Sequence, residues 1–270
     1  KILFVVHALG YGGVGRMLSY LANYMSNAGY RVVIYVEEQV GNYYVQNQDI
    51  EIVQEKHFFK NYYTRRFQQV FQLRRHVAEI RPDLIISFQT NQNALSVLAT
   101  FGRKIPVVIS ERGDPYHYDG FVASVKRWII NHAEGGVFQS QNAMNYFSKK
   151  LQQRSRVIKN PTTVQSVNRP SWEDRSNEIV SVGRFDIQQK RQDILVEAFA
   201  LVAQQFPDYI LGFYGTGQDE DIIKIKVKEL GLENRVVFHG LVRDIPEAIL
   251  KSKLFVLTSD YEGMPNALIE

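Results

Sequence analysis

Glu178-Ile179-Val180-Ser181-Val182-Gly183-Arg184-Phe185-Asp186-Ile187-Gln188-Gln189-Lys190-Arg191 is the stretch on which the reading of this chain turns. A short β-rich run over 178–182 ends in Gly183, which allows close backbone approach, and a helical pattern follows over 192–205. Strand, glycine turn and helix in that order make the repeating unit of a parallel sheet with crossover helices. Downstream the unit recurs. A strand over 209–214 leads into Gly215-Thr216-Gly217 and a helix over 220–230, then a strand over 236–239, a short helix over 246–251 and a strand over 254–258. Gly263-Met264-Pro265 opens a last helix.

Upstream, residues 160–177 are rich in Pro, Ser, Thr and Asn and carry little periodicity, the composition of a linker. Before it the same alternation runs from the first residues. Strands are expected over 2–6, 31–36, 51–53, 84–88, 106–110, 136–139 and 157–159, and helices over 16–28, 64–81, 93–101, 125–132 and 142–151. The chain therefore reads as α/β, with two Rossmann-like domains over 1–165 and 166–270. Its length of 270 residues suits that count, against a prior of ~150 residues per domain.

Hydrophobic residues at 45% and charged residues at 22% describe a globular chain and exclude disorder, collagen and coiled coil. No apolar run reaches the ~18 residues that span a bilayer. Lys1-Ile2-Leu3-Phe4-Val5-Val6 is too short for a signal-peptide core and breaks at His7. With no cysteine, disulfides, thiol catalysis and Cys-based metal sites are excluded, which fits a reducing cytoplasm. The chain begins without Met and stops at Glu270 inside a helical pattern, so it is expected to be a piece of a longer protein with its second domain incomplete. The net charge of +4 hides an asymmetry: residues 1–170 hold 21 basic against 11 acidic side chains, and residues 171–270 hold 11 against 17. Halves of opposite charge meet different partners.

Three glycine-containing blocks could carry chemistry. Gly10-Tyr11-Gly12-Gly13-Val14-Gly15 lies between strand and helix, where bare amides and a helix start make an anion site. As a dinucleotide fingerprint it is expected to be imperfect on two counts: G-x-G-x-x-G is not expected to fall in register with the loop, and the ribose-binding acid about twenty residues on is unclear, Glu37 and Glu38 being the candidates. In the second block, Arg184 could fork onto two diphosphate oxygens and Lys190 add a compact charge, or both could be solvated turn cations. In the third, 260–270, amides at Gly263–Asn266 suit a phosphate or sugar oxygen and Glu270 could reach ribose hydroxyls, although a capped surface helix is the commoner explanation.

Asp219-Glu220-Asp221 mimics a metal-binding D-x-D, yet its place at a helix start favours the macrodipole reading. The tract 56–76 gathers Lys56, Lys60, Arg65, Arg66, Arg74 and Arg75 with four aromatics before Arg65 and no acid, either a solvated helix face or an anionic-membrane contact. No nucleic-acid motif accompanies the charge.

Together the second and third blocks resemble the nucleotide-sugar-binding domain of family 4 retaining glycosyltransferases, which have the GT-B fold of two Rossmann-like domains facing across a cleft. The family's marks read here as Val182-Gly183-Arg184 with Lys190, Phe213-Tyr214-Gly215-Thr216-Gly217, Phe238-His239-Gly240-Leu241-Val242, and Glu262-Gly263-Met264-Pro265-Asn266 with Glu270. The N-terminal half matches more loosely through Gly12-Gly13, Arg16, Leu21-Ala22 and Gly29-Tyr30-Arg31-Val32.

The resemblance implies roles. Arg184 and Lys190 would hold the donor diphosphate and stabilise the leaving group, Glu262 would contact the transferred sugar and Glu270 the ribose. Val242 would lie against the base, most often uracil, with Gly13, Gly183, Gly215, Gly263, Met264, Pro265 and Asn266 lining the donor. It also implies retention of configuration without metal or other cofactor. Many family members carry a His where this chain has Arg112. Since Arg cannot act as a base, Glu111, Arg112 or Asp114, with Gly12 and Arg16, would orient donor or acceptor, and His117 is incidental.

The function implied is a cytoplasmic glycosyltransferase, peripheral on the inner face of the plasma membrane. It would use a nucleotide diphosphate sugar, UDP-linked by expectation, and a glycan or lipid-diphosphate-linked acceptor, as in bacterial surface-polysaccharide assembly. A GT-B sugar-nucleotide epimerase and a catalytically inactive nucleotide-sugar-binding subunit are the alternatives. A nicotinamide dehydrogenase is disfavoured by the imperfect first fingerprint.

Overall fold

The computed structural model describes residues 1–10, 12–38, 44–55, 61–161, 170–242 and 245–269. The chain divides into two compact units, Lys1–Asn160 and Pro161–Glu270.

Among the described residues of the first unit seven parallel strands form one sheet: β1 (Ile2–Val6), β2 (Val32–Val36), β3 (Glu51–Gln54), β4 (Leu84–Phe88), β5 (Val107–Glu111), β6 (Gly135–Phe138) and β7 (Ser155–Val157). Their spatial order is β3-β2-β1-β4-β5-β6-β7. Helices α1 (Gly13–Asn27), α2 (Tyr62–Ile80), α3 (Thr90–Ala99), α4 (Gly120–Ile130), α5 (Gln141–Asn145) and α6 (Lys149–Gln153) complete the unit.

All five residues of β1 and of β2 are buried, because a parallel strand is covered on both faces and its side chains alternate between them. Leu3, Val5, Val33 and Tyr35 join a core with Leu73 and Val77 of α2, Leu95 of α3 and Ile130 of α4. Ile2, Phe4, Val6, Val32 and Ile34 face the other way, onto Leu18 and Ala22 of α1. This two-faced burial is why the strands read as continuous apolar runs.

The second unit is a four-stranded parallel sheet, β8 (Ser176–Val182), β9 (Ile210–Tyr214), β10 (Val236–Gly240) and β11 (Ser252–Phe255), in the order β10-β9-β8-β11. Its helices are α7 (Gln192–Ala203), α8 (Glu220–Glu229), α9 (Ile245–Lys251) and α10 (Asn266–Ile269). Phe185, Leu195, Val196, Phe199, Leu211, Phe213 and Ile223 form its core.

Several local expectations change. The single helix expected over 142–151 is two, because Ser140 and Ser148 each cap a separate start, their hydroxyls accepting from the amides of Ala143 and Leu151. α4 begins five residues before the expected 125, at Gly120, whose φ of +83° only glycine adopts freely. β8 begins at Ser176, inside the linker-like stretch, and β11 lies at Ser252–Phe255 rather than over 254–258.

Strand order locates the ligand-facing edges. In an open parallel sheet, ligands bind beyond the strand C-termini where the order reverses. Here those points lie between β1 and β4 in the first unit and between β8 and β11 in the second. The loops leaving these four strands carry most of the residues singled out above.

Candidate functional site

In the second unit the loops after β8 and β11 are laced together by their backbones. The Asp260 amide donates to the Gln189 carbonyl at 2.9 Å, and the Thr258 hydroxyl donates to the carbonyls of Lys190 at 2.9 Å and Arg191 at 3.0 Å. Arg191, at φ +51°, turns the chain into α7 and reaches across to Asp260 at 3.1 Å. The result is that Lys190 and Glu262, far apart in sequence, form an ion pair, each side chain about one-fifth exposed. Arg184 stands at the same loop, 2.8 Å from Asp186, with two-thirds of its side chain open to solvent. Arg184, Lys190 and Glu262 thus stand on the loops at one sheet edge, each cation paired with a carboxylate, a set suited to a diphosphate and a hydroxylated ring.

The glycines divide by role. A Cβ on Gly183 would meet only the Lys190 stem, at an ordinary 3.7 Å. A Cβ on Gly215, whose φ is +138°, would fall on the Gly183 carbonyl oxygen, and one on Gly217 on the Phe185 backbone. The close approach expected of Gly183 is therefore made by its partners, Gly215 and Gly217. The amide of Gly215 donates to the Gly240 carbonyl at 2.8 Å, which places the turn before Val242 beside it.

Val242 is about 38% exposed at the edge of the described residues. Gly263, Met264 and Pro265 lead into α10, which opens at Asn266, and the Pro265 carbonyl accepts from the amides of Leu268 and Ile269. Glu270 lies outside the described residues. Asp219 accepts from the Ile187 amide at 2.9 Å and so braces the Arg184 loop, while Glu220 and Asp221 occupy the first turn of α8.

In the first unit the loop after β1 keeps Gly10, Gly12 and Gly15 at G-x-G-x-x-G spacing, so the argument against a dinucleotide rests on the acid alone. A Cβ on Gly15 would come within 2.5 Å of the Gly10 carbonyl oxygen, and Gly12 sits at φ +142° ahead of α1, which Gly13 opens. The first helical bond runs from the Arg16 amide to the Gly12 carbonyl at 3.1 Å. Glu37, the candidate ribose ligand, is buried and already engaged. It takes bonds from His7 at 2.9 Å, Gln69 at 2.5 Å, Gln92 at 2.7 Å and Arg65 at 3.2 Å. Burial pushes its carboxyl up, but the bonds from His7 and Gln69 and the charges of His7 and Arg66 outweigh that and hold it at about 2.

At the end of β5, Glu111 is buried, and burial pushes its pKa up to about 7 against the bonds it accepts from Thr90 and from the Gly113 and Arg112 amides. Arg112 donates to the Ser110 hydroxyl at 2.8 Å and to Asn160 at 2.6 Å, with its guanidinium over the Phe88 ring. Asp114 caps a single 3-10 turn over Pro115–His117 through the Tyr116 amide at 3.0 Å.

Sequence reasoning passed over His7, Gln69 and Gln92, and over Thr90 and Asn93 beside Glu111. A polar residue directly after an apolar strand was the signal available for His7, after β1, and for Gln89, after β4 and at φ +75°; Gln69, Thr90, Gln92 and Asn93 lie within helices, where no such signal marks them. Part of the basic tract is engaged by the fold: Arg65 pairs with Glu37 and Glu38 and Arg74 binds the carbonyls of Ala99 and Phe101, while Arg75 pairs with Glu79 at the surface. Lys56 and Lys60 lie outside the described residues.

The family model for glycosyltransferase family 4 matches residues 11–165, and that for glycosyl transferases group 1 matches residues 165–270. A relative from Campylobacter jejuni is the α-1,4-N-acetyl-D-galactosaminyltransferase of a GalNAc- and diNAcBac-containing glycan on undecaprenol diphosphate. It is 25% identical, over 100% of this chain and 76% of its own length. The amylovoran biosynthesis glycosyltransferase of Erwinia amylovora is 25% identical, over 100% of this chain and 77% of its own. Among solved structures, Anabaena HepE in complex with UDP and glucose superposes with a TM-score of 0.75 at 22% identity, covering 96% of this chain and 74% of that one. The lipopolysaccharide glycosyltransferase WaaG gives 0.73 at 15% identity, covering 96% and 75%. These likenesses show the GT-B fold.

Proposed function

The chain belongs to glycosyltransferase family 4, and on that premise we propose that it moves a sugar from a UDP-sugar to a glycan or lipid-diphosphate-linked acceptor in bacterial surface-polysaccharide assembly. The observation that carries this reading is the meeting of Arg184, Lys190 and Glu262 at the β8–β11 reversal. Support for the donor comes from the UDP bound to Anabaena HepE, and for the acceptor from the undecaprenol diphosphate glycan named for the Campylobacter enzyme.

Before donor arrives, Lys190 and Glu262 neutralise each other and Arg184 rests on Asp186. The donor diphosphate would draw both cations onto its oxygens, which frees the Glu262 carboxylate to accept from the sugar hydroxyls. As the bond between the anomeric carbon and the diphosphate breaks, negative charge grows on the leaving oxygens. Arg184 and Lys190 stabilise that charge where it develops. The acceptor oxygen bonds to the anomeric carbon on the same face and its proton passes to a diphosphate oxygen, so configuration is retained. Charge neutralisation by the two cations makes transfer independent of a metal.

Calorimetric titration of the full-length protein with UDP, GDP, ADP and NAD, repeated with Arg184→Ala, tests the reading. UDP is expected to bind best and to lose roughly tenfold or more in affinity in the variant, as befits a charge-assisted bidentate contact. Preference for NAD, or a variant that binds UDP as well as the parent, overturns it. Acceptor-dependent release of UDP separates transfer from epimerisation and from mere binding.

A further inference from the structure

Gln89 holds a backbone conformation that its residue type avoids. At φ +75° and ψ 150° it lies in a region that glycine populates and residues with a Cβ almost never do. Such a residue persists only where its surroundings over-determine it, and here they do. The Gln89 amide donates to the Ser110 carbonyl of β5 at 3.0 Å, and its own carbonyl accepts from the Asn93 amide at 2.8 Å, closing the first turn of α3. The neighbouring side chains are pinned as well. Thr90 donates to the Glu111 carboxylate at 3.0 Å, Gln92 donates to Glu37 at 2.7 Å, and Asn93 accepts from the Ser87 hydroxyl at 2.8 Å.

Glycine would make both backbone bonds without strain. What glycine lacks is the side chain, and the fold does not use it. The Gln89 side chain is half-buried and has no hydrogen-bond partner among the described residues, whereas those of Thr90, Gln92 and Asn93 are all engaged. Gln89 stands directly after β4, at the reversal of strand order between β1 and β4, where an open parallel sheet takes its ligand. Strained residues collect at such places, because a ligand contact is kept even where it lowers stability.

The chemistry of the group says which ligand. A primary amide is uncharged and offers two donor hydrogens and one acceptor oxygen in a plane. That matches two neighbouring hydroxyls of a sugar ring, one accepting and one donating. It matches a phosphate less well, because the amide brings no positive charge.

We propose that Gln89 is a specificity residue of the first unit, its side-chain amide hydrogen-bonding paired hydroxyls of the acceptor glycan. The assignment rests on the glycosyltransferase reading and names the group that recognises the acceptor there.

Saturation-transfer NMR of the full-length protein with the methyl α-glycosides of glucose, galactose, mannose and their 2-acetamido counterparts reads the contact without donor or transfer. At least one of them is expected to receive saturation from the parent protein. Its dissociation constant should rise about fivefold in Gln89→Gly, as the loss of a neutral hydrogen bond implies. The urea midpoint of the same variant should rise, because the strain leaves with the side chain. Gln89→Ala, which keeps the strained backbone, should lose the sugar equally without that rise. No saturation of any glycoside by the parent, a variant that binds the sugar as the parent does, or a Gln89→Gly midpoint that falls would each overturn the proposal. Failure of the parent to bind UDP leaves the sugar contact standing and removes only the transfer reading.

Discussion

At the scale of single residues, the two kinds of glycine in the donor loops make a contrast. Gly215 is held at φ +138° with the Gly183 carbonyl where its Cβ would stand, so Gly215→Ala should cost about 1–3 kcal/mol through strain. Gly183→Ala meets only a flexible lysine stem and should cost less than about 1 kcal/mol. Urea midpoints of the two variants decide it, and equal losses would mean the loops can part. The residue types were legible beforehand: two cations and a carboxylate flanking glycine turns are visible in 182–191 and 260–263. Which glycine the fold cannot do without was not, since that depends on a carbonyl from another loop.

At the scale of elements, the divided helix after β6 rests on two hydroxyls. Ser140 accepts from the Ala143 amide at 3.1 Å, and Ser148 from the Leu151 amide at 3.4 Å. Ser140→Ala and Ser148→Ala should each lower stability by about 1 kcal/mol, read from thermal or urea unfolding. A null effect at Ser148 with a full effect at Ser140 would say that the second start is held by Leu151 packing instead. Helical periodicity over 142–151 predicted one element because the apolar spacing continues through the break; hydroxyl capping competes with periodicity and won locally. Strands were read more accurately than helix ends. A strand buried on both faces announces itself in consecutive apolar residues, as Ile2–Val6 and Val32–Val36 do.

At the scale of the whole molecule, buried carboxylates set the pH dependence of stability. Glu37 is held at about 2 against an ordinary 4.5, so its contribution is present above 4.5 and is lost as pH falls toward 2. Burial, with the charge of Glu37 added, pushes Glu55 up to about 7, and burial does the same for Glu111. These two favour the folded state while protonated there, and their contribution fades as pH rises from 4.5 to about 7. His7, raised by its bond to Glu37, fades on the same rising side. Urea unfolding across pH should show stability climbing from pH 2 to about 4.5 and declining toward 7, with Glu111→Gln removing part of the decline. A steady climb to pH 7 would show that Glu55 and Glu111 ionise freely in the fold. Burial sets the sign at Glu55 and Glu111, and the bonds and charges that outweigh burial set it at Glu37; in the sequence all three are ordinary glutamates.

What the sequence determined by itself is the class of fold and the chemistry of the donor loops. Apolar alternation, glycine at strand ends and blocks of charge are local in period or spacing, so a single chain displays them. Only the tertiary structure decided which loops meet. Parallel pairing brings the ends of β8 and β11 side by side and joins Lys190 to Glu262. It likewise gathers His7, Arg65, Gln69 and Gln92 around the Glu37 carboxylate. The physical reason is that strand order and helix docking are set by the free energy of the whole core, to which each local stretch contributes only a part.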